Sequence, residues 1–316
     1  MFKAIINTIL RYRAFLEANT EKRTGFNKKI AQTACKPFKI LTDWLIDALF
    51  RYNKSRILRC IPNLPSNSIF TVSLTSFPKR IDNLWMVLWS VYNQTVLPCK
   101  VILSLTKEEF PAEITSLPDS IKAFTNKGLE IVFNDINLRP HNKYYYALSR
   151  IKDQPVITID DDFIYYLDSF ERLFRLHKDY PDCICANRVQ RIELKDDKYL
   201  SYNYWRLVHN MDQGNDLVAL GYACVLYPSS FRPDILFDLH NIQKLSLRAD
   251  DLWLKAIEIV EGVKVVKGEY YAYPFQIPKS QIVSLRLTNN DISNPQNDPQ
   301  WKNLVEHFNI TANNLK

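Results

Sequence analysis

The chain has 316 residues, 47% hydrophobic and 24% charged, enough to bury a full core in one large domain or two smaller ones. Six glycines stand beside 16 prolines, and neither G-x-G-x-x-G nor G-x-x-x-x-G-K-[ST] occurs, which removes the best support for Rossmann dehydrogenase and P-loop readings. The net charge of +7 belongs to the N-terminus: residues 1–60 carry 13 Lys/Arg and 4 Asp/Glu, the rest 28 Lys/Arg and 30 Asp/Glu.

The first ten residues are apolar at Phe2, Ile5, Ile6, Ile9 and Leu10 and then meet Arg11 and Arg13, the spacing of a one-faced helix. This stretch is too short for a membrane span and lacks the small-residue cleavage site of a signal peptide. A second amphipathic run over 38–50 is flanked by Lys36, Lys39, Arg51, Lys54, Arg56 and Arg59. Trp44 and Phe50 beside these cations suit a helix in a lipid headgroup layer, and equally a helix packed on the main domain. Residues 62–67 read as a linker.

From residue 68 the pattern alternates. Strands are expected over 69–75, 100–106, 129–134 and 155–159, with helical segments over 81–94, 113–127 and 142–152 between them. Such alternation implies right-handed βαβ crossovers and a mostly parallel sheet, whose ligands bind at the carboxyl ends of the strands. Further on, 169–178 reads as helix, 183–187 and 222–227 as strands, 250–260 and 300–308 as helices, and 188–220 as a loop-rich substrate wall. The six cysteines at 35, 60, 99, 183, 185 and 224 form no C-x-x-C pair, so a zinc site or a disulfide framework is not expected and a reducing cytosol is.

Three aspartates, Asp160, Asp161 and Asp162, end the apolar run at 155–159. Clustered hard oxygens at a buried strand end suit a divalent cation that holds a pyrophosphate; a solvated, purely structural acidic turn is the plain alternative. Continued strand alternation would put Asp160 and Asp162 on one side and Asp161 opposite. A second acidic pair, Asp250 and Asp251, opens a helix, where carboxylates also cap free N–H groups and suit the helix dipole.

The chain resembles the GT-A fold glycosyltransferases, specifically a bacterial group related to family 2. The resemblance rests on Val72-Ser-Leu-Thr-Ser-Phe-Pro-Lys-Arg-Ile81, Thr158-Ile-Asp-Asp-Asp162, Ala186-Asn-Arg188, 202–205, Val225-Leu-Tyr-Pro228, Ala249-Asp-Asp-Leu-Trp-Leu254 and Asn297-Asp-Pro-Gln300, in that order over residues 68–308. It implies an α/β, Rossmann-like fold with a mostly parallel sheet between helices, preceded by an amphipathic helical extension. The expected division is 1–65 for the extension, 66–275 for catalysis and 276–316 for a segment completing the active-site wall.

The implied activity is transfer of a sugar from a nucleotide diphosphate, by family habit UDP, to an acceptor hydroxyl in surface polysaccharide or glycolipid synthesis. Thr75, Ser76 and Arg80 would face the nucleoside half of the donor, Asp135 a base N–H, and Asn142 and Lys143 the diphosphate or sugar. Asp162 would bind Mn²⁺ or Mg²⁺, with Asp160 toward the metal or ribose and Asp161 as its close alternate. Asp251 would be the general base, supported by Asp250; one base and one metal suit inversion, with retention left open. Asn187, Arg188, Trp205, His209, Gly221 and Tyr222 would line the sugar and acceptor pocket. Tyr222 and Ala223 replace the family's usual Gly-rich run, so the donor sugar is left open.

The acceptor is expected to be a glycan or lipid-linked precursor, and the enzyme cytoplasmic, held on the inner membrane face through residues 1–60. The competing readings are a nucleic-acid-binding protein using the basic leader and a metal-dependent nucleotidyltransferase or phosphohydrolase. An acidic cleft repels a phosphate backbone, so no nucleic acid is expected; the latter enzymes would want further carboxylates or histidines near the ion.

Overall fold

The computed structural model describes residues 2–21, 23, 25–278 and 296–316. Two helices lead, α1 (Phe2–Glu21) and α2 (Gly25–Arg59). The body then runs β1 (Thr71–Thr75), α3 (Leu84–Val91), β2 (Lys100–Thr106), α4 (Asp119–Lys122), β3 (Leu129–Asn134), α5 (Asn142–Arg150), β4 (Val156–Thr158), β5 (Phe163–Ile164), α6 (Ser169–Asp179) and β6 (Ile184–Ala186). Short strands follow: β7 (Val189–Arg191), β8 (Leu194–Lys195), β9 (Lys198–Tyr199), β10 (Arg206–Val208), β11 (Asp212–Gly214), β12 (Leu217–Ala219) and β13 (Val225–Tyr227). Helices α7 (Leu239–Leu245) and α8 (Asp250–Val260), strands β14 (Val265–Lys267) and β15 (Phe275–Gln276), and helix α9 (Asn297–Phe308) complete the described chain.

The main sheet has eight strands in the order β11-β14-β6-β13-β4-β1-β2-β3. Its β4-β1-β2-β3 half is parallel, while β13 runs antiparallel between β4 and β6. This is the mixed, mostly parallel sheet of a GT-A fold. Strand alternation sends Val72, Leu74, Val101 and Leu103 into one core layer with α3 and α6, and Ile102 into the other with α5 and α8. Both faces are therefore covered, and the carboxyl ends of β1 and β4 open on the same edge.

The N-terminal helices belong to the first of these layers. Phe2 and Phe50 meet edge to face at 5.4 Å and both pack on Trp89, at 5.5 and 4.9 Å. Arg13 pairs with Asp43, and Lys39 with Glu17 at 2.8 Å, so α1 and α2 clamp each other as a hairpin. The 38–50 run expected from sequence is the middle of a 35-residue helix that continues through Pro37. No helix among the described residues is long and apolar enough to cross a membrane.

Three expectations change. The helical signal over 113–127 resolves into separate short turns, because Pro118 is extended (ψ 144°) and Gly128, at φ 105°, reverses the chain into β3. The 188–220 wall contains a small antiparallel sheet, β10-β7-β12, rather than loop alone. The strand expected from 222 begins only at Val225: Gly221–Ala223 form a 3-10 turn and Cys224 takes φ 72° before the strand starts. The wall segment expected over 276–316 falls partly on 279–295, which lie outside the described residues.

Candidate active site

Strand β4 ends at Thr158, opposite Ser73 of β1, and the Ile159 amide still donates to the Ser73 carbonyl. The chain then leaves the sheet, so Asp160, Asp161 and Asp162 no longer alternate as a strand would. Asp161 and Asp162 both turn toward Arg80, and Asp160 turns away toward Lys143. This corrects the expected pairing of Asp160 with Asp162 on one face: the alternation needs an extended backbone, and it has ended two residues earlier.

The Asp161 carboxylate accepts hydrogen bonds from Ser76 Oγ and Arg80 Nη1, each at 2.6 Å. Arg80 Nη2 also lies 3.4 Å from Asp162 Oδ2, and Gln276 Nε2 donates to that oxygen at 3.1 Å. The Ile277 amide holds the Asp162 carbonyl, and the Tyr165 hydroxyl bridges the Asp160 amide and carbonyl. Burial pushes the Asp162 carboxyl up to about 8, with Arg80 pulling it down and Asp161 and Asp160 adding to the rise. Asp161 is also raised by burial, against the pull of Arg80.

The second acidic pair arrives on the first turn of α8. Lys143 Nζ, from the start of α5, stands 2.7 Å from Asp160 Oδ1 and 2.8 Å from Asp250 Oδ2. One buried ammonium thus joins the two acidic sets. Burial opposes its charge, but Asp160, Asp250 and Asp251 hold its pKa well above the ordinary lysine value. Burial likewise opposes ionisation of Asp250, yet Lys143 draws its carboxyl below the usual range. Asp251 goes the other way: burial, then the neighbouring Asp250 charge, raise it well above the usual carboxylate value. Adjacent carboxyls pushed apart in this way are poised for different roles.

The Gly221 amide donates to both Asp251 oxygens, at 3.2 and 3.3 Å. A Cβ there would lie 2.6 Å from Lys143 Nζ and 2.9 Å from Asp251 Oδ1, so only hydrogen fits at this position. His141, just before α5, is fully buried. Its Nε2 donates to the Ser246 carbonyl, which leaves Nδ1 to accept from the Tyr144 hydroxyl at 2.9 Å.

Of the other residues expected at the site, Thr75 donates to the Ser104 carbonyl beside the acidic edge. Asn142 Oδ1 accepts from the Leu138 amide and steadies the turn into α5. Arg188 donates to the Tyr222 hydroxyl at 3.0 Å, to the Tyr271 carbonyl and to Glu21 of α1. Tyr222 packs at a tilt between the rings of Phe163 and Tyr273 and continues the aromatic wall from β5. Asn187 is spent on the Ser169 and Ala223 carbonyls.

Three expected residues stand apart from the acidic sets. Asp135 follows the carboxyl end of the edge strand β3, two strands from β1, where it is 81% exposed and pairs with Lys107 at 2.8 Å. Trp205 is a core residue, 4% exposed, packed against Tyr202 and Trp301 with its ring N–H on the Leu200 carbonyl. His209 lies beside the Tyr270 ring at 5.9 Å. In turn, Gln276, Tyr165 and Glu21 touch site residues and carry no motif in the sequence. Each meets its partner through the fold, and Glu21 lies 167 residues from Arg188.

The donor set suits a hard divalent cation. Five carboxylates, of Asp160, Asp161, Asp162, Asp250 and Asp251, gather around Arg80 and Lys143, and burial first, then the neighbouring aspartates, raise Asp162 and Asp251. No three metal-ligating side chains converge on one point among the described residues.

The model of glycosyl transferase family 2 matches residues 75–232, half of the chain, and spans the Thr75 to Asp162 and Gly221 elements. Among solved structures, S. aureus TarS 1-349 in complex with UDP is similar, at 10% identity over 65% of this chain and 59% of that one, TM-score 0.41. The chain thus covers 59% of the length of that protein. CMP:2-keto-3-deoxy-manno-octonic acid synthetase complexed with CTP is similar at 10% identity over 71% of this chain and 99% of that one, TM-score 0.41. Glucosyl-3-phosphoglycerate synthase from Mycobacterium tuberculosis, in complex with Mn²⁺, UDP and glucosyl-3-phosphoglycerate, is similar at 15% identity over 38% of this chain and 44% of that one, TM-score 0.29. No curated protein matches the chain in sequence.

Proposed function

The chain belongs to glycosyl transferase family 2, and from that premise we propose a metal-dependent transfer of a sugar from a nucleotide diphosphate, UDP in the first instance, to an acceptor hydroxyl with inversion. The observation that carries the reading is the meeting of two acidic sets on one ammonium: Asp160 and Asp250 share Lys143, with Asp251 fixed beside them by Gly221. One set suits a cation and a diphosphate, the other an incoming alcohol.

In this reading Asp162, with Asp160 or Asp161, holds Mn²⁺ or Mg²⁺. Bound there, the ion neutralises charge that builds on the departing diphosphate. Arg80, whose Nε makes no hydrogen bond among the described residues, has a donor to spare for phosphate or ribose, and Ser76 orients the Asp161 carboxylate beside it. Lys143 can exchange a carboxylate for a phosphate oxygen without leaving its place between the acidic sets. Asp251 takes the proton from the acceptor hydroxyl as its oxygen attacks the anomeric carbon. A carboxyl raised by burial is more basic than an exposed one, which suits proton abstraction near neutral pH. Asp250, held ionised by Lys143, keeps a negative charge beside it and so sustains that basicity.

The half-buried Tyr222 and Tyr273 offer rings for the sugar and acceptor, with the buried Arg188 behind them holding that wall in place, and the acceptor is a glycan or lipid-linked precursor of surface polysaccharide or glycolipid. Residues 66–275 do the chemistry, residues 1–65 hold the enzyme at the inner membrane face, and residues 276–316 contribute wall through Gln276. Isothermal titration with UDP, with and without Mn²⁺, tests the reading on wild type and Asp162→Ala. Mn²⁺-dependent UDP binding that disappears in the variant is expected; metal-independent binding, or none in the wild type, sinks it.

A further inference from the structure

Helix α2 is apolar on two faces, and the fold uses one. Ala31, Ile46, Phe50 and Ile57 turn inward and are buried. On the other side Phe26, Ile30, Pro37, Leu41, Trp44 and Tyr52 are exposed, and they recur with Ala34 and Ala48 at steps of three and four residues. Those steps keep one side of a helix for about 39 Å at 1.5 Å per residue. Trp44 is 65% exposed, Phe26 77% and Tyr52 90%, an unusual outlay of aromatic surface to leave in water.

Charge decides what this stripe faces. Each acidic side chain of residues 1–60 is taken by an ion pair: Glu17 by Lys39, Glu21 by Arg188, Asp43 by Arg13 and Asp47 by Arg51. Among the described residues no carboxylate pairs with Lys29, Lys36, Arg56 or Arg59, which lie along the same helix. The rim of the stripe is therefore positive. A second copy of the chain would bring an equally positive rim against it, and like charges oppose that contact. A sheet of negative charge over an apolar layer complements both features at once.

We propose that the outward stripe of α2 lies in the headgroup layer of an anionic lipid membrane, with its aromatic rings at the acyl boundary and its cations on lipid phosphates. This names the face behind the membrane placement in the transferase reading, but it does not rest on the donor chemistry. Helix α1 forms the link to the pocket: Glu21 grips Arg188, and Arg13 lies over the Phe275 ring, one residue before Gln276 on Asp162. Because α1 is clamped to α2 by Arg13–Asp43 and Lys39–Glu17, the docking helix is joined through α1 to the Arg188 and Asp162 side of the fold.

The test uses the full chain in sedimentation with phosphatidylcholine vesicles and with vesicles of equal parts phosphatidylcholine and phosphatidylglycerol. Binding to the anionic vesicles that weakens with salt is expected. The double variant Leu41→Glu/Trp44→Glu should weaken it at least about tenfold, and Lys29→Gln/Lys36→Gln about thirtyfold at low salt, from the usual contribution of each cation near such a surface. Mn²⁺-dependent UDP binding and the thermal midpoint should match wild type in both, since neither pair touches the core or the pocket. Should the glutamate variant fail to fold, quenching of Trp44 by brominated lipid, absent in Trp44→Phe, gives the same answer. Wild type that ignores anionic vesicles, binds neutral ones equally, or binds undiminished with the stripe altered overturns the proposal, as does loss of self-association in the variants without any vesicle binding. A wild type that binds vesicles but no UDP leaves the docking face standing and removes the transferase reading instead.

Discussion

The amide of Gly221 donates to both carboxylate oxygens of Asp251, at 3.2 and 3.3 Å, and a methyl group on Gly221 would press on Asp251 Oδ1 and Lys143 Nζ. The contact ties the turn before β13 to the first turn of α8. It fixes where the proposed base points, and it sets the bond's partner against the buried Lys143.

Gly221→Ala is the sharpest probe of this contact. The φ of Gly221 is not in the left-handed region, so the backbone tolerates alanine; the obstruction is the methyl group, 2.6 Å from Lys143 Nζ and 2.9 Å from Asp251 Oδ1. Lysine ends usually yield to such pressure, but this one is held by Asp160 and Asp250. Stability should fall by about 1–3 kcal/mol, as for other overpacked sites. Transfer should fall by roughly a hundredfold, since small misplacements of a reacting group have that cost. Urea denaturation and initial rates on one preparation check both numbers, and full activity with unchanged stability contradicts the geometry.

Asp251→Asn keeps the shape and the hydrogen bond from Gly221 while removing the proton acceptor. Loss of a general base typically lowers kcat by about 10²- to 10⁴-fold. UDP and Mn²⁺ affinity should stay within a few-fold of wild type, because Asp160 and Asp162 are untouched. Paired calorimetry and rate measurements separate this residue from Asp162→Ala, whose loss should lie in binding.

The parts of the fold legible in the sequence are those where one periodicity governs a whole element. Strands β2 and β3 and helix α8 fall on the expected residues because short runs rich in Val, Ile, Leu and Phe, and an acidic first turn before a helical apolar spacing, govern each whole element. The 113–127 segment does not, because Pro118 and Gly128 override its weak helical spacing. In the site, the two acidic clusters and Lys143 stand out by charge at element ends. Trp205 does not sort correctly: a tryptophan among tyrosines reads as a sugar platform, yet Trp301, far along the chain, closes a core around it. The hold of Glu21 on Arg188 and of Gln276 on Asp162 joins distant segments, which no local pattern encodes.

Lys143→Met should be among the most destabilising substitutions. It leaves the buried Asp250, and the half-buried Asp160 beside it, without their counter-charge, and removing one member of a buried pair costs about 3–5 kcal/mol. The pH dependence carries the sign. Lys143 lowers the folded-state pKa of Asp250, so its contribution is present above the ordinary aspartate value and is lost as pH falls through the carboxylate range. The gap between wild type and variant should therefore be widest near pH 7 and shrink toward pH 3 in urea titrations. A gap that is constant with pH would mean that packing, not charge, sets the cost.

His141 gives a dependence of its own. Burial depresses its pKa from 6.5 to about 4, and its neutral ring is matched on both nitrogens by the Ser246 carbonyl and the Tyr144 hydroxyl. Between those values the unfolded chain binds a proton that the folded chain refuses, so stability rises with pH across that window. The contribution is complete above about pH 6.5 and is lost as pH falls toward 4, about 3 kcal/mol in all. His141→Gln should lower stability at pH 7 by removing a hydrogen bond inside the core, and it should flatten the slope between pH 6.5 and 4. Denaturation of both proteins at half-unit steps of pH measures the two slopes. Parallel curves would show that His141 takes up its proton without opening the core, and would place the acid sensitivity in the carboxylates of the pocket instead.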